Sequence, residues 1–289
     1  MRKNARMSPQ VHATAPGPAG PQPQLAGVDF SSAPRRAKAI VWAWGTLQRP
    51  GLVRLDRLEE NASLAAFEET LRRRGPWLAA FDFPFGLPRE LVRALGWPTE
   101  WAACMAHYAG LERAAIVEAF AAFCDARPAG GKFAHRACDL PAGSSPSMKW
   151  VNPPVAFMLH AGVAALRAAG VDIPGLAAGD PARVALEGYP GLVARALIGR
   201  RSYKSDTRAQ QTPERLIARK DLVDAAEQGR WRGVRLKLTH AQREALVADP
   251  RGDALDAALC LMLAAWAHGR PGHGLPEGFD ALEGWIVGA

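Results

Sequence analysis

The sequence predicts one α/β domain with a mixed sheet that is flanked by helices and carries a helical insertion. Two observations predict this class. Strand-like segments follow one another at 25–32, 38–47 and 51–58, and the short links between them are typical of an antiparallel meander. A helix and then a wholly apolar strand come next, and a strand without polar alternation is usually covered on both faces.

Each of the first three strands has its own signal. The first segment, "LAGVDFSS", is apolar and ends at Asp29 and small residues. The second, "KAIVWAWGTL", contains Val and two Trp, which favour strands. The third, "GLVRLDRL", alternates apolar and polar residues as a half-exposed strand does, and "QRPG" predicts the turn before it.

The first helix is predicted over 63–74, where Ser63 is a suitable N-cap and apolar residues recur at helical spacing. The buried strand "WLAAFDF" follows, and "RVALEGYP" predicts a fifth strand over 183–190. "EGWIVGA" predicts a terminal strand or tail. Further helices are predicted over 100–127, 153–170, about 213–228 and 249–269.

The domain organisation follows from composition. Residues 1–24 are rich in Pro, Ala, Gly and Gln and lack the apolar segment of a secretory signal, so we predict a disordered tail. Residues 25–289 form the predicted domain, with the insertion at about 98–150 ending in a loop rich in Gly, Ser and Pro. No window offers about 20 apolar residues without charge, so no membrane helix is predicted. Without an export signal, a cytoplasmic location is expected.

Charge points to a polyanionic partner. The chain carries a net charge of +8 at neutral pH. Residues 195–243 alone contain 13 Lys and Arg against 5 Asp and Glu, an excess equal to that of the whole chain. Such a block suits nucleic-acid binding, and the alternative is a solvated, Arg-rich surface.

Three predicted strands end in an acidic residue: Asp29, Asp82 and Glu187. Parallel strands of an open α/β sheet present their C-terminal ends at one edge, where sites form. If these strands are parallel neighbours, the three carboxylates converge at that edge.

The helix over 252–266 adds the strongest single signal. Every residue from Ala254 to Trp266 is apolar except Asp256, which predicts a buried helix with a buried carboxylate. Because an unpaired buried charge is costly, Asp256 needs a partner, either a metal ion or a distant Arg. Asp253 lies on the same helical face, either as a second ligand or as an N-cap.

A cluster of these acids requires cations. Two like charges about 4 Å apart repel by about 4 kcal/mol at an effective dielectric constant of about 20. Mg²⁺ or Mn²⁺, which prefer oxygen ligands, are the expected cofactors. A zinc site is the alternative, since Cys104 with His107 and His135 with Cys138 have ligand-like spacing.

Six motifs in order, "GVDFS", "FDFPFGLP", "HRACD", "LEGYP", "YK" and "GDALDAALC", resemble domain-of-unknown-function family 429 over about residues 25–287. Members of that family are predicted to be nucleases with an RNase-H-like fold. The resemblance implies a five-stranded sheet in the order 3-2-1-4-5 with strand 2 antiparallel. "GDALDAALC" is also similar to the last helix of Holliday-junction resolvases, where paired acids bind metal.

The resemblance further implies a site. Asp29 on the first strand, Asp82 on the neighbouring fourth strand, and Asp253 and Asp256 on the closing helix would bind the metal. Glu187 is a supporting acid on our own interpretation of the fifth strand. The implied function is hydrolysis of DNA or RNA phosphodiester bonds by two-metal-ion chemistry, with water as the nucleophile.

The expected substrate contacts are Arg136, Lys149, Tyr203 and Lys204, because cationic and phenolic side chains hold phosphates. For Arg136 the alternative is an ion pair with Asp139, and for Tyr203 and Lys204 a solvated loop. Neither a P-loop motif nor a G-x-S-x-G motif occurs. Two other functions stay open: a catalytically inactive nucleic-acid-binding or scaffold protein of the same fold, and a small-molecule phosphotransferase.

Overall fold

The computed structural model describes residues 22–289. Residues 1–21 of the predicted tail lie outside this range, and the first strand begins at Gln24. The chain folds as an α/β protein in which helices cover both faces of one mixed sheet.

The sheet has seven strands. They are β1 (Gln24–Asp29), β2 (Ile40–Arg49), β3 (Leu52–Asn61), β4 (Trp77–Phe81), β5 (Val171–Asp172), β6 (Asp180–Glu187) and β7 (Arg235–Lys237). Their spatial order is β5-β6-β4-β1-β2-β3-β7. Strand β2 pairs antiparallel with β1 and β3, and all other pairings are parallel.

The predicted count of five strands was therefore wrong. The predicted strands lie side by side within the observed order, and β5 and β7 extend the sheet at its two edges. These edge strands have only two and three residues, so they are too short to leave a period-2 pattern in the sequence. The C-terminal segment forms a single parallel bridge between Ile286 and Glu187.

Ten α-helices lie within the described range. They are α1 (Leu64–Leu71), α2 (Arg89–Ala94), α3 (Trp101–Ala109), α4 (Arg113–Asp125), α5 (Asp139–Ala142), α6 (Val155–Ala169), α7 (Pro190–Ile198), α8 (Pro213–Glu227), α9 (His240–Ala248) and α10 (Asp253–His268). Short 3₁₀ turns lie at Arg208–Gln210 and Pro271–Gly274. Within residues 22–289 no helix has the length and apolarity that crossing a bilayer requires.

The predicted helix ends agree in part with the structure. Ser63 caps α1 by accepting a hydrogen bond from the Ala66 amide at 3.1 Å, as predicted. The helical stretch predicted over 100–127 is instead two helices, because α3 ends at Gly110 and α4 starts after Glu112. Helices α2, α5, α7 and α9 were not predicted from the sequence.

Two hydrophobic cores lie on opposite faces of the sheet. Along β1, Leu25 faces one core while Ala26 and Val28 face the other, as strand geometry requires. Helices α1, α3, α4 and α6 cover the first face, and α7 to α10 cover the second. Strand β4 is buried along its whole length, which confirms the prediction made from its apolar sequence.

Helix α10 lies directly on β1, and Gly27 makes this possible. A Cβ atom at Gly27 would lie 2.0 Å from the Leu261 amide nitrogen and 2.1 Å from the Ala257 carbonyl oxygen, inside contact distance. The two backbones can therefore touch only because position 27 has no side chain. This close approach brings the first turn of α10 to the C-terminal end of β1.

Candidate metal centre

Two carboxylates lie at the C-terminal edge of neighbouring parallel strands. Val28 of β1 is in register with Phe81 of β4. Asp29 directly follows Val28, and Asp82 directly follows Phe81. The Asp82 amide donates to the Val28 carbonyl oxygen at 2.9 Å, which holds the turn after β4 against β1. The prediction that these strand ends are adjacent is confirmed.

Asp256 completes a group of three. It lies in the first turn of α10 and its side chain is fully buried. One carboxylate oxygen from each of Asp29, Asp82 and Asp256 lies within 4.8 Å of the other two. Within residues 22–289 this is the one group of three or more His, Cys, Asp or Glu side chains arranged to hold a metal ion.

The surroundings of this group oppose negative charge. Burial, reinforced by the charge of Asp256, raises the pKa of Asp82 to about 7. Burial also raises the pKa of Asp29 well above its ordinary value, and only Lys204 works strongly against that shift. Among the described residues neither carboxylate has a hydrogen-bond donor. Each therefore needs a proton or a cation.

Asp256 differs because it has two donors. The Tyr203 hydroxyl donates to its Oδ1 at 2.5 Å, and the Lys204 ammonium donates to its Oδ2. Although burial works to lower it, the carboxylates raise the pKa of Lys204 well above its ordinary value, so the ammonium stays charged. The structure thus places Tyr203 and Lys204 on a candidate metal ligand, a contact that sequence reasoning missed.

Backbone features position this pair. Gly252 has φ +75°, and a Cβ there would lie 3.0 Å from the Lys204 Cβ, so glycine lets the loop approach the start of α10. The buried Arg219 guanidinium donates to the Tyr203 carbonyl oxygen at 2.8 Å. The loop is also tied by a 3.0 Å hydrogen bond from Ser205 to Pro250.

Arg219 is a site-supporting residue that the sequence could have revealed. It lies on α8 among the buried positions Ala218, Leu222, Val223 and Ala226. An arginine within an apolar helical stripe has to pair its charge inside the protein. Its Nε donates to the Val247 carbonyl oxygen at 2.8 Å, so it joins α8, the end of α9 and the loop at Tyr203.

Asp253 lies beside the group of three without belonging to it. It is the first residue of α10, after the cap residue Gly252, and its side chain makes no capping hydrogen bond. Burial raises its pKa, and the nearest cation is Arg251, whose Nε lies 3.9 Å from Oδ2. The N-cap alternative was therefore wrong, and Asp253 faces the same cavity as Asp29 and Asp82.

Glu187 has a different partner from the one expected. Its two oxygens accept from Nη1 and Nη2 of Arg136 at 2.8 and 2.6 Å, and Oε2 also accepts from the Phe85 amide at 2.9 Å. Both side chains of this ion pair are 2% exposed. Glu187 lines the cavity, but it pairs with Arg136 and does not belong to the group of three aspartates.

Arg136 is fully engaged by protein acceptors. Besides Glu187, it donates to Asp139 through Nε and Nη2 at 3.1 and 2.9 Å, and to the Glu283 carbonyl oxygen at 3.0 Å. The structure contains the alternative that the sequence left open, an ion pair between Arg136 and Asp139. This ion pair is buried rather than on the surface. No N–H of this guanidinium remains for a substrate phosphate, so the expected phosphate clamp is replaced by a structural link.

This link fixes the insertion loop to the sheet edge. Glu283 accepts from the amides of Arg89 and Ala137 at 2.8 Å each, and Ser144 donates to Asp139 at 3.0 Å. The loop after α4, strand β6 and the C-terminal segment are thereby held together on one side of the cavity.

The cavity has a volume of about 490 Å³. Its lining combines the acids Asp29, Asp82 and Asp253 and the ammonium of Lys204 with apolar residues, among them Pro84, Pro153, Pro154, Val155 and Met158. Lys38 is a further basic residue that sequence reasoning missed, and it pairs with Asp206 at 2.6 Å at the rim. Of the expected substrate contacts, Arg136 and Lys204 line this cavity, whereas Lys149 and Tyr203 are not among the described residues that line it.

The zinc alternative is not supported. Cys104 and Cys138 are buried, free thiols, and neither joins a metal-ligand group with His107 or His135 in the part of the chain that the structure describes. Burial raises the pKa of Cys104 to about 11 and that of Cys138 to about 12, which keeps both as neutral thiols.

Fold and site together define an α/β protein with a three-carboxylate centre at the C-terminal edge of its sheet. Residues 27–278 match the model of a family described as "Protein of unknown function (DUF429)", so the chain belongs to that family. The family membership predicted from the motifs is confirmed. Comparisons with curated proteins and with solved structures gave no match.

Proposed function

We propose that this protein is a divalent-metal-dependent nuclease that hydrolyses phosphodiester bonds of DNA or RNA. One observation carries the proposal: one carboxylate oxygen from each of Asp29, Asp82 and Asp256 lies within 4.8 Å of the other two, and within residues 22–289 neither Asp29 nor Asp82 has a hydrogen-bond donor. Such a set is costly for the fold unless a cation binds there.

The net charge of the carboxylate group favours the binding of a divalent cation. When ionised, the three aspartates carry −3, and the Lys204 ammonium offsets one unit, which leaves −2. Mg²⁺ or Mn²⁺ matches both this charge and the all-oxygen ligand set. In the proposed two-ion chemistry Asp29, Asp82 and Asp256 would hold the first ion, and Asp253 would be the additional ligand for the second.

A bound Mg²⁺ or Mn²⁺ ion lowers the pKa of a bound water and stabilises charge on the phosphoryl oxygens. The chain's own residues orient the reaction. Tyr203 and Lys204 fix the orientation of Asp256, and the Lys204 ammonium faces the cavity, where it favours an anionic substrate. Water would attack phosphorus and lose a proton to solvent, the bond between phosphorus and the leaving sugar oxygen would break, and that oxygen would take up a proton from solvent.

The proposed fold relationship is RNase-H-like. Its support is that the strands β3-β2-β1-β4-β6 lie in this order, with β2 antiparallel, and that the carboxylates come from β1, the end of β4 and the closing helix. The proposed partner is nucleic acid, and its support is the basic stretch over 195–243 that includes Lys204.

The test uses the full chain with structured DNA and RNA, with Mn²⁺ or with EDTA. We expect cleavage by the wild type only with Mn²⁺ and none by Asp29→Asn. The control is Asp125→Asn, which removes an exposed carboxylate at the end of α4 and should leave cleavage unchanged. Equal cleavage by the wild type and Asp29→Asn would exclude the proposed site, and binding without cleavage would favour a scaffold.

The shape of the cavity favours a second candidate, a metal-dependent enzyme acting on a small phosphate ester. A cavity of about 490 Å³ lined by both acidic and apolar residues has the size and lining of a small-molecule site. Turnover of p-nitrophenyl phosphate with Mn²⁺, without cleavage of bis(p-nitrophenyl) phosphate or of nucleic acid, would favour this candidate over the nuclease.

A further inference from the structure

A second cavity lies beside the carboxylates, on the loop between α7 and α8. Its volume is about 460 Å³, and Arg195, Arg200 and Arg201 line it together with Tyr203 and two glycines. No Asp or Glu lines it. Three arginines among the lining residues make the lining of this recess strongly basic.

The arginines are held in different ways. Arg195 is fixed by donating to the carbonyl oxygens of Ala142 at 3.1 Å and Gly143 at 2.7 Å. Arg201 pairs with Asp221 at 2.6 Å, and both of these side chains are about half exposed. Among the described residues Arg200 has neither an ion pair nor a hydrogen-bond acceptor. One acid therefore offsets three guanidinium groups, and among the described residues Arg195 and Arg200 have no carboxylate partner.

The recess adjoins the candidate metal centre. Tyr203 lines the recess, and its hydroxyl donates to Asp256 at 2.5 Å. The next residue, Lys204, lines the first cavity. Two consecutive residues of one loop therefore line the two cavities, and the recess lies on the segment that supports the candidate metal ligand Asp256.

We propose that this recess binds a backbone phosphate of a nucleic-acid strand, next to the phosphate held at the three carboxylates. The identification of the ligand as a nucleic-acid strand rests on the proposed function. Arginine suits this task because its planar fork donates two parallel hydrogen bonds to phosphate oxygens. Contacts of this kind position a strand without reading its sequence. The recess thus serves affinity and orientation, and the carboxylates serve cleavage.

The test measures binding with EDTA present, so that it does not depend on cleavage. A labelled single-stranded oligonucleotide is titrated with the full chain across a NaCl series, and fluorescence anisotropy gives the affinity. Arg200→Ala/Arg201→Ala should weaken binding roughly tenfold. It should also reduce the slope of log affinity against log salt by about 0.7 for each phosphate that the protein no longer neutralises.

The matched control is Arg72→Ala/Arg74→Ala at the end of α1, beside the N-terminal end of β4. Arg72 pairs with Glu68 and is 49% exposed, as Arg201 is, and Arg74 is exposed without an ion pair among the described residues, as Arg200 is. This control removes the same charge and should leave the affinity close to that of the wild type.

Each outcome decides the point. Equal weakening by both double variants would show a general charge effect and overturn the proposal. Arginine-dependent binding of inorganic phosphate without binding of the oligonucleotide would also overturn it, in favour of a free phosphate ligand. If only Arg200→Ala/Arg201→Ala weakens oligonucleotide binding, and the wild type cleaves nothing with Mn²⁺, the phosphate-binding recess is supported and the nuclease activity is refuted. Failure of the recess proposal can therefore be distinguished from failure of the proposed function.

Discussion

The Tyr203 hydroxyl lies 2.5 Å from Oδ1 of Asp256 and donates a hydrogen bond to it. This contact joins a loop residue to a carboxylate in the first turn of α10 and leaves the other oxygen of Asp256 to Lys204. Because Tyr203 is buried and Arg219 holds its carbonyl, the phenol is a rigid support for a candidate ligand. Supports of this kind tune metal affinity from outside the ligand set.

Tyr203→Phe should therefore weaken Mn²⁺ binding by about 10-fold or more, the usual effect of losing an outer-shell hydrogen bond. Stability should fall by about 1–2 kcal/mol, because a buried carboxylate loses a donor. Calorimetric titration with Mn²⁺ and urea unfolding measure the two effects. The control is Tyr108→Phe, which removes another buried hydroxyl, bonded to the Ala156 carbonyl oxygen at 2.9 Å. Equal Mn²⁺ affinity in both variants would contradict the support role.

Stability without metal should depend on pH through Asp82. Its pKa is about 7 in the folded state against 3.8 for the ordinary side chain, so the folded protein holds a proton that the unfolded chain has lost. The free energy of unfolding should fall as the pH rises from about 4 to 7, and this contribution should level off above that range. Stabilisation by Mn²⁺ should grow over the same range, because metal binding displaces the proton.

Urea unfolding at pH 5.5 and pH 8, with EDTA or Mn²⁺, measures this dependence. Asp82→Asn should make the metal-free profile shallower and reduce the Mn²⁺ effect at pH 8, while Asp125→Asn should behave as the wild type does. Part of the pH dependence of the free energy of unfolding should persist in Asp82→Asn, because burial also raises the pKa of Asp29. A wild-type protein that Mn²⁺ stabilises equally at both pH values would rule out a proton-competitive site.

Much of the carboxylate cluster could be predicted from the sequence, and the reason is physical. Asp29 and Asp82 follow apolar strands, and parallel strands share one C-terminal edge. Asp256 interrupts an otherwise apolar helix, and such a helix has to pack on the sheet. These three positions follow from local patterns combined with a general rule of topology.

The partners of these acids could not be predicted, because their contacts are not local. Tyr203 lies 53 residues from Asp256, and Arg136 lies 51 residues from Glu187. The motif "HRACD" indicated an Arg and an Asp near each other, but not that Glu187 completes a buried triad with them. The local sequence pattern shows on which helix or strand a charged residue lies. The partner of that residue depends on which helices and strands pack together in the fold.

The Arg136 triad should be essential for stability. Arg136→Met leaves Asp139 and Glu187 buried without their cation, which should cost about 3–5 kcal/mol in urea unfolding. The matched control is Arg54→Met, which breaks an ion pair whose Arg is 48% exposed, and this change should cost less than about 1 kcal/mol. Similar losses in both variants would mean that the buried triad contributes no more than a surface pair.

The packing of α10 on β1 predicts a coupled loss of stability and metal binding. In Gly27→Ala the new Cβ would meet the Leu261 nitrogen at 2.0 Å, so the helix has to move away from the strand. We expect a loss of about 3 kcal/mol or more, as in overpacked cores. Because α10 carries Asp256 and β1 carries Asp29, the shift should also separate two candidate ligands.

Two measurements on Gly27→Ala separate these effects. Urea unfolding gives the stability, and Mn²⁺ titration of the folded variant at low temperature gives the affinity. The control is Gly131→Ala in the insertion loop, where the nearest atom to a new Cβ is a carbonyl oxygen at 3.9 Å, so both quantities should stay near wild type. A folded Gly27→Ala protein with wild-type Mn²⁺ affinity would show that the metal does not bridge β1 and α10.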